Sequence, residues 1–294
     1  MAAFTSRMQS RSVLKPLIRL ALREDAAFRD LTSRAILPAR TRIRARIVAK
    51  APGVLAGGFL AVMTFLVVDR SLRLTLKRRE GARLLRGRTI LTVEGRARSI
   101  LAAERTALNF LGHLSGIATH TRTYVRRIRG TRAKIFDTRK TLPGLRRLEK
   151  FAVYLGGGHN HRGTLAEAVL IKTTHLRTLR RTGLSRAAAI HEAIRRARRH
   201  APGRWLEVEA ASLADVRAAL AVRPDAILLD NLTVRAVREA IRLRGRRSRI
   251  LLEVSGGITL TNVRAYAKTG VDRISVGRLT HSAPALDISL ESVV

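Results

Sequence analysis

In Ile250-Leu-Leu-Glu-Val-Ser-Gly-Gly257 the short apolar run Ile250-Leu-Leu252 finishes in Glu253-Val-Ser-Gly-Gly257. The same event recurs on both sides of it. Lys134-Ile-Phe136 ends in Asp137-Thr-Arg-Lys140, Ala168-Val-Leu-Ile171 in Lys172, and Trp205-Leu-Glu-Val208 in Glu209. Ala226-Ile-Leu-Leu229 ends in Asp230-Asn231, and Arg273-Ile-Ser-Val276 in Gly277-Arg278. Helical patterns lie between most of these runs, over 185–200, 213–222, 234–243 and 261–269. Strands alternating with helices imply right-handed crossovers and a parallel sheet. About six such units suit a full or incomplete β/α barrel. Ordinary loop composition would scatter turn residues. Here nearly every strand delivers a charged group or a glycine pair at its C-terminal end, the face on which β/α barrels carry their chemistry.

Upstream the style changes. Residues 42–50 and 71–77 alternate apolar and basic positions, the two-residue period of half-exposed strands, with Gly53, Gly57 and Gly58 marking a turn region between them. From 99 to about 129 the pattern is helical, with Leu101, Leu108, Leu111 and Leu114 among its apolar positions. This reads as a small α+β domain leading into a long helix. Residues 1–23 are basic and carry Leu14, Leu17, Ile18, Leu20 and Leu22, but Arg19 interrupts the apolar run. They predict an amphipathic helix rather than a secretory signal.

Hydrophobic residues make up 46% of the 294, enough for a sizeable core, while aromatics reach only 4%, so that core must be mostly aliphatic. The absence of cysteine removes disulfides, thiolate metal sites and cysteine nucleophiles, and fits a reducing, cytoplasmic setting. No stretch approaches the roughly 18 apolar residues of a membrane span. The net charge of +37 attracts anions of every kind. Its arginine runs, Arg195-Arg196-Ala197-Arg198-Arg199 and Arg244-Gly245-Arg246-Arg247, sit where helices should end, a favourable place for cations. No aromatic-interleaved strand is present to stack bases, so nucleic acid is not the expected partner.

Two kinds of group dominate the proposed face. Arg139, Lys140, Arg162 and Lys172, with His159 and His161 nearby, form a cationic set suited to a substrate bearing more than one carboxylate. Glu209 and Asp230 on neighbouring strands suit ribose hydroxyls or a hydrated magnesium ion. Ser255-Gly256-Gly257 and Gly277 follow the last two strands, where barrels hold phosphate on backbone N–H groups. Gly156-Gly-Gly-His-Asn-His161 reads as a second cradle or a flexible loop. As a metal site its two imidazoles lack a carboxylate partner close in sequence.

Asp137-Thr-Arg-Lys-Thr141 with Pro143-Gly144, Leu148-Glu-Lys150 and Gly156-Gly-Gly-His-Asn-His-Arg162 resemble the signature of quinolinate phosphoribosyltransferases. The similarity runs from Glu24-Asp25, Asp30-Leu-Thr-Ser33 and Glu104-Arg-Thr-Ala-Leu-Asn109 through Ala168-Val-Leu-Ile-Lys172 and Leu229-Asp-Asn231. It continues in Ser255-Gly-Gly-Ile258, Ser275-Val-Gly277 and Leu279-Thr-His-Ser-Ala-Pro-Ala-Leu-Asp287. The resemblance implies an α/β protein with an N-terminal α+β sandwich (1–116), an incomplete parallel β/α barrel (117–280) and a tail (281–294) returning to the first domain. The implied activity joins quinolinate to the phosphoribosyl group of phosphoribosyl pyrophosphate, with magnesium, giving nicotinate mononucleotide, carbon dioxide and pyrophosphate for NAD synthesis. It also implies a homodimer in which Arg105 completes the partner's site. By position Arg105, Arg139, Arg162 and Lys172 hold the two carboxylates with His161 in support. Lys140 lies near the pyrophosphate, Glu209 and Asp230 near ribose and magnesium, and Ser255, Gly256, Gly257, Gly277 and His281 take the 5′-phosphate.

The chain departs from that pattern at a few places. Arg29 stands where a glycine is usual, Thr173-Thr174 where Asp-Asn is common, Ala211-Ser212 where an acid and an asparagine are usual, and Arg278 where the residue is often small. The competing readings are a related phosphoribosyltransferase with another acceptor, such as the molybdenum-operon relatives, and a basic scaffold that binds anions or nucleic acid without turnover. Retention of Arg139, Arg162 and Lys172 favours a dicarboxylate acceptor.

Overall fold

The computed structural model describes residues 11–293, with the side chains of 11–13 left aside. The amphipathic helix expected at the N-terminus runs Arg11–Glu24, and the remainder of that expectation, over 1–10, lies outside the described residues. Leu14, Ile18 and Leu22, spaced four apart, form its buried stripe. The chain forms two compact units. One comprises 1–122, 141–157 and 282–294, and the other 123–140 and 158–281.

The strands of the first unit up to the long helix are β1 (Arg42–Ala49), β2 (Gly53–Val54), β3 (Arg73–Leu76), β4 (Arg83–Leu84) and β5 (Thr89–Arg96). In β1 the alternation seen in the sequence is realised: Arg42, Arg44 and Arg46 face out, while Ala45, Ile47 and Ala49 join the core. That core closes on Leu91 and Val93 of β5 and on Ile100, Ala103, Ala107 and Leu111 of the helix Ala97–Arg127, whose three-to-four spacing makes one apolar face. Antiparallel pairing gives the order β12-β1-β5-β3, with β12 (Ile288–Val293) supplied by the end of the chain.

The segment leading to β12 crosses the long helix over two glycines one turn apart. The Leu286 N–H donates to the Gly112 carbonyl at 2.9 Å, and a Cβ on Gly116 would collide with the Pro284 carbonyl. The returning helix Arg146–Leu155 is tied to the same unit from its other side. Its buried Glu149 lies 2.9 Å from His113 Nε2, and the Arg122 guanidinium donates to the Gly156 and Leu155 carbonyls. Leu148-Glu-Lys150 is buried throughout, within this first unit.

The second unit contains β6 (Lys134–Phe136), β7 (Val169–Ile171), β8 (Leu206–Ala210), β9 (Ala226–Asp230), β10 (Leu251–Ser255) and β11 (Arg273–Ser275). These form one parallel sheet in the order β6-β11-β10-β9-β8-β7. Every neighbour but β6–β11 is consecutive in the chain, and the ladder ends at β6 and β7, the two strands adjacent in sequence. A closed barrel would pair them, so this is the incomplete form. The helices Arg186–His200 and Val234–Arg244 end in Arg198-Arg199-His200 and in Arg242 and Arg244, the cation placement read from the sequence. Among the described residues no helix is long and apolar enough to cross a membrane.

Because a Cβ on Gly116 would collide with the Pro284 carbonyl, Gly116→Ala should force the C-terminal segment outward. The expected cost is about 1–3 kcal/mol of stability, read as a lower midpoint in thermal unfolding. An unchanged midpoint would show that the crossing is loosely packed.

Candidate active site

The register of the parallel sheet sorts side chains into levels. Glu209 on β8 is level with Leu228 on β9, which is level with Glu253 on β10, and the row continues through Arg273 on β11 to Lys134 on β6. Ile171 pairs with Val208, which brings Lys172 level with Glu209. Two residues further toward the C-terminal ends come Asp230 and Ser255, paired with each other, and Ser275 paired with Phe136. A period of two places all of these on one face of the sheet. Every site residue expected from the sequence belongs to this unit except Arg105, which is exposed on the long helix of the first unit.

At the end of β6 the buried Asp137 fixes the path of the glycine-rich loop. Its N–H donates to the His159 carbonyl and its Oδ1 accepts from the His161 N–H at 2.8 Å, fastening that loop beside the strand. Arg139 and Arg162 are both half-buried. The guanidinium of Arg162 donates to the Ala168 carbonyl at 2.9 Å, and its pKa is lowered first by burial and then by the charge of Arg139, against the pull of Glu207 and Glu209. Two guanidinium groups kept near each other and partly out of water are a standing demand for an anion.

Glu209 is half-buried and accepts the Thr173 N–H at 2.7 Å, so the carboxylate caps the helix Thr173–Arg180, which Lys172 precedes. The unusual threonine thus serves through its backbone. Ala211 and Ser212 also have local duties: Ala211 donates its N–H to Asp215, and Ser212 caps the helix Leu213–Ala221. Asp230 ends β9 half-buried, one strand over from Glu209.

Past the last strands the glycines sit in close quarters at two places. Gly256 has φ +91°, and a Cβ there would collide with the Asn231 side-chain amide. Asn231, itself at φ +55°, donates its N–H to the Ser255 carbonyl. At Gly277 a Cβ would come within 3.0 Å of His281 Nε2 and 3.2 Å of the Lys140 side chain, so the backbone, the imidazole and the ammonium stem converge. Thr280 Oγ1 donates to the Lys140 carbonyl at 2.6 Å and locks β6 to the short helix Arg278–His281.

Two acids to which the sequence reading gave no role at the site, Glu207 within a strand and Glu253 at a strand's end, belong to the same face. Glu207 and Glu253 are both wholly buried, and each has one carboxylate oxygen with no hydrogen-bond partner. His161 Nε2 lies 2.9 Å from Glu207 and 3.6 Å from Glu253, and Ser275 donates to Glu253 at 2.5 Å. Arg273 stacks over Phe136 and Trp205 at 4.8 and 4.7 Å. His159 is no ligand of this group. It stacks on Phe136 at 5.2 Å, and burial followed by the charges of Lys134 and Arg273 keeps it below its ordinary pKa. The legible signal was Leu206-Glu-Val-Glu209, in which a two-residue period puts Glu207 on the same face as Glu209.

Burial first, and the charge of Glu207 second, push Glu253 up to about 7 from 4.5. A carboxyl that holds its proton more tightly when folded stabilises the fold fully below its ordinary value, and that stability is lost as pH rises through about 7. Glu253→Gln, neutral at every pH, should therefore decline less than the parent in thermal midpoint between about pH 5 and about pH 8. Parallel declines would contradict this assignment of the proton.

Both halves of the chain match a known family. Residues 30–115 match the family described as quinolinate phosphoribosyl transferase, N-terminal domain, and residues 117–291 match its C-terminal domain. The nicotinate-nucleotide pyrophosphorylase [carboxylating] of Mycobacterium leprae is 45% identical over 281 residues, covering 93% of this chain and 95% of the relative. The crystal structure of NadC from Streptococcus pyogenes superposes with a TM-score of 0.87 at 38% identity, covering 96% of this chain and 97% of the other. The nicotinate-nucleotide pyrophosphorylase of Francisella tularensis gives the same TM-score at 34% identity over 96% of each chain. Matches of both domains, in order and over nearly the full length, establish that the chain belongs to the quinolinate phosphoribosyltransferase family.

Proposed function

We infer that the chain transfers the phosphoribosyl group of phosphoribosyl pyrophosphate to quinolinate with decarboxylation, giving nicotinate mononucleotide, carbon dioxide and pyrophosphate in de novo NAD synthesis. The observation that carries this reading is the pairing of half-buried cations, Arg139 and Arg162, with half-buried acids, Glu209 and Asp230, at the C-terminal ends of one parallel sheet. A substrate with two carboxylates answers the first pair, and a reacting centre that becomes positive answers the second.

Arg139, Arg162 and Lys172 orient quinolinate through its carboxylates, and Arg105 completes the clamp from a second copy of the chain in a homodimer. The pyridine nitrogen then forms a bond to C1 of the ribose while the bond from C1 to pyrophosphate breaks. Positive charge on the ribosyl group is stabilised by Glu209 and Asp230, and negative charge on the departing pyrophosphate by Lys140. Ser255, Gly256, Gly257, Gly277 and His281, at the ends of β10 and β11, receive the 5′-phosphate. The bond to the adjacent carboxylate then breaks, carbon dioxide leaves, and the electron pair stays on the ring carbon, where the positive charge of the quaternised nitrogen stabilises it until that carbon takes up a proton. Fixing both substrates in line accounts for several kcal/mol of the barrier.

Two carboxylates on adjacent strands, with Asp230 one level beyond Glu209, fit a hydrated magnesium ion, which binds through one or two carboxylates and substrate phosphates. Glu209 and Asp230 would hold it, and when bound it neutralises charge on the pyrophosphate.

Purified protein given quinolinate, phosphoribosyl pyrophosphate and magnesium should release carbon dioxide and nicotinate mononucleotide, with nicotinate run in parallel as an acceptor of one carboxylate. Arg139→Ala should lower kcat/KM for quinolinate roughly 10- to 150-fold, the worth of a charged hydrogen bond. No product from quinolinate, or equal product from nicotinate, would overturn the assignment of substrate.

A further inference from the structure

His161 stands in the middle of the cationic loop, yet both of its ring nitrogens are engaged within the protein. Nδ1 accepts the backbone N–H of Arg162 at 2.8 Å, and Nε2 lies 2.9 Å from Glu207 Oε2. A backbone N–H can only donate, so Nδ1 is unprotonated and Nε2 carries the hydrogen that Glu207 accepts. The His161 N–H is in turn held by Asp137. His161 is therefore a strut between the barrel floor and the backbone of Arg162, and it offers neither nitrogen to a ligand.

The floor beneath it is built to keep that strut in place. Glu207 and Glu253 approach each other across β9, where the residue level with Glu207 is the small Ala226. The candidate ligand atoms of His161, Glu207 and Glu253 lie within 4.8 Å of one another. A metal ion in this group would have to displace the hydrogen on Nε2, and the Ser275 hydroxyl already donates to Glu253 Oε1, with Arg273 3.9 Å from Oε2. A shared proton suits the cluster better: Glu253 is held up near neutrality by burial and by the charge of Glu207. The charge of Glu207 also reaches Arg162, whose charged form it favours.

We propose that Glu207, backed by Glu253, fixes the tautomer of His161 and that these three are positioning residues for Arg162. This rests on the reading of Arg162 as a carboxylate ligand of quinolinate. Glu207 keeps the hydrogen on Nε2, which keeps Nδ1 an acceptor, which holds the backbone of Arg162 where its guanidinium can meet a carboxylate. Supports of this kind orient a ligating group without touching the substrate.

Two measurements test it. Nitrogen-15 spectra of histidine-labelled free enzyme, with His161 assigned by comparison with His161→Asn, should show Nδ1 unprotonated and Nε2 protonated at neutral pH. A protonated Nδ1 would overturn the proposal whatever the enzyme's substrate proves to be, whereas a failure of the functional reading appears in wild-type turnover. In kinetics, His161→Ala and Glu207→Gln should each raise KM for quinolinate by about tenfold or more, with KM for phosphoribosyl pyrophosphate within about twofold. The double variant should be no worse than the worse single one, since one chain of contacts is being cut twice. His161→Asn, whose side-chain oxygen stands near the place of Nδ1, should retain more affinity than His161→Ala. Additive effects, or a loss confined to kcat, would overturn the proposal. If Glu207→Gln does not fold, the wild-type tautomer decides alone.

Discussion

Two guanidinium groups held near each other and half out of water are the costly feature around which the second unit is arranged. Arg139 and Arg162 repel, and burial weakens the hydration that would offset the repulsion. Acids close to Arg162 oppose that cost. Asp137 holds the loop backbone, and Glu207 and Glu209 supply charge to Arg162. A parallel sheet makes this possible because all six strands end on the same side, so charges from distant parts of the chain share one rim. Without that geometry the same residues would be five unrelated charges.

Stabilisation of the rim depends on close backbone approaches. Gly256 lies against Asn231, and Gly277 against His281 and Lys140, in spaces that a methyl group would fill. Thr280 fastens the last helix to the first strand of the sheet, and Glu209 caps the helix that Lys172 precedes. Rigid strands with locked ends are what a transferase needs if two anionic substrates are to meet in line.

Much of this was legible in the sequence. Runs such as Ala226-Ile-Leu-Leu229 announced buried parallel strands by their unbroken apolar character, and their charged ends announced the functional face. The alternation of arginine and aliphatic residues in β1 was equally direct. The features that escaped depend on contacts between distant segments. Glu207 reads as one more polar residue in a strand until its neighbours across Ala226 are known. Glu149 gave no sign in the sequence of its buried place against His113, which only the fold brings near. The threonine and alanine at 173 and 211 looked like losses, because their backbone N–H groups, bonded to Glu209 and Asp215, leave no trace in residue identity.

The central claim is that the half-buried pair Arg139 and Arg162 selects a dicarboxylate. Calorimetric titration of the free protein with quinolinate and with nicotinate, at one salt concentration, tests it without requiring turnover. The account predicts that quinolinate binds at least about tenfold more tightly, a difference of about 1.4 kcal/mol, and that Arg162→Ala removes most of that preference. Equal affinities for the two acids would contradict it.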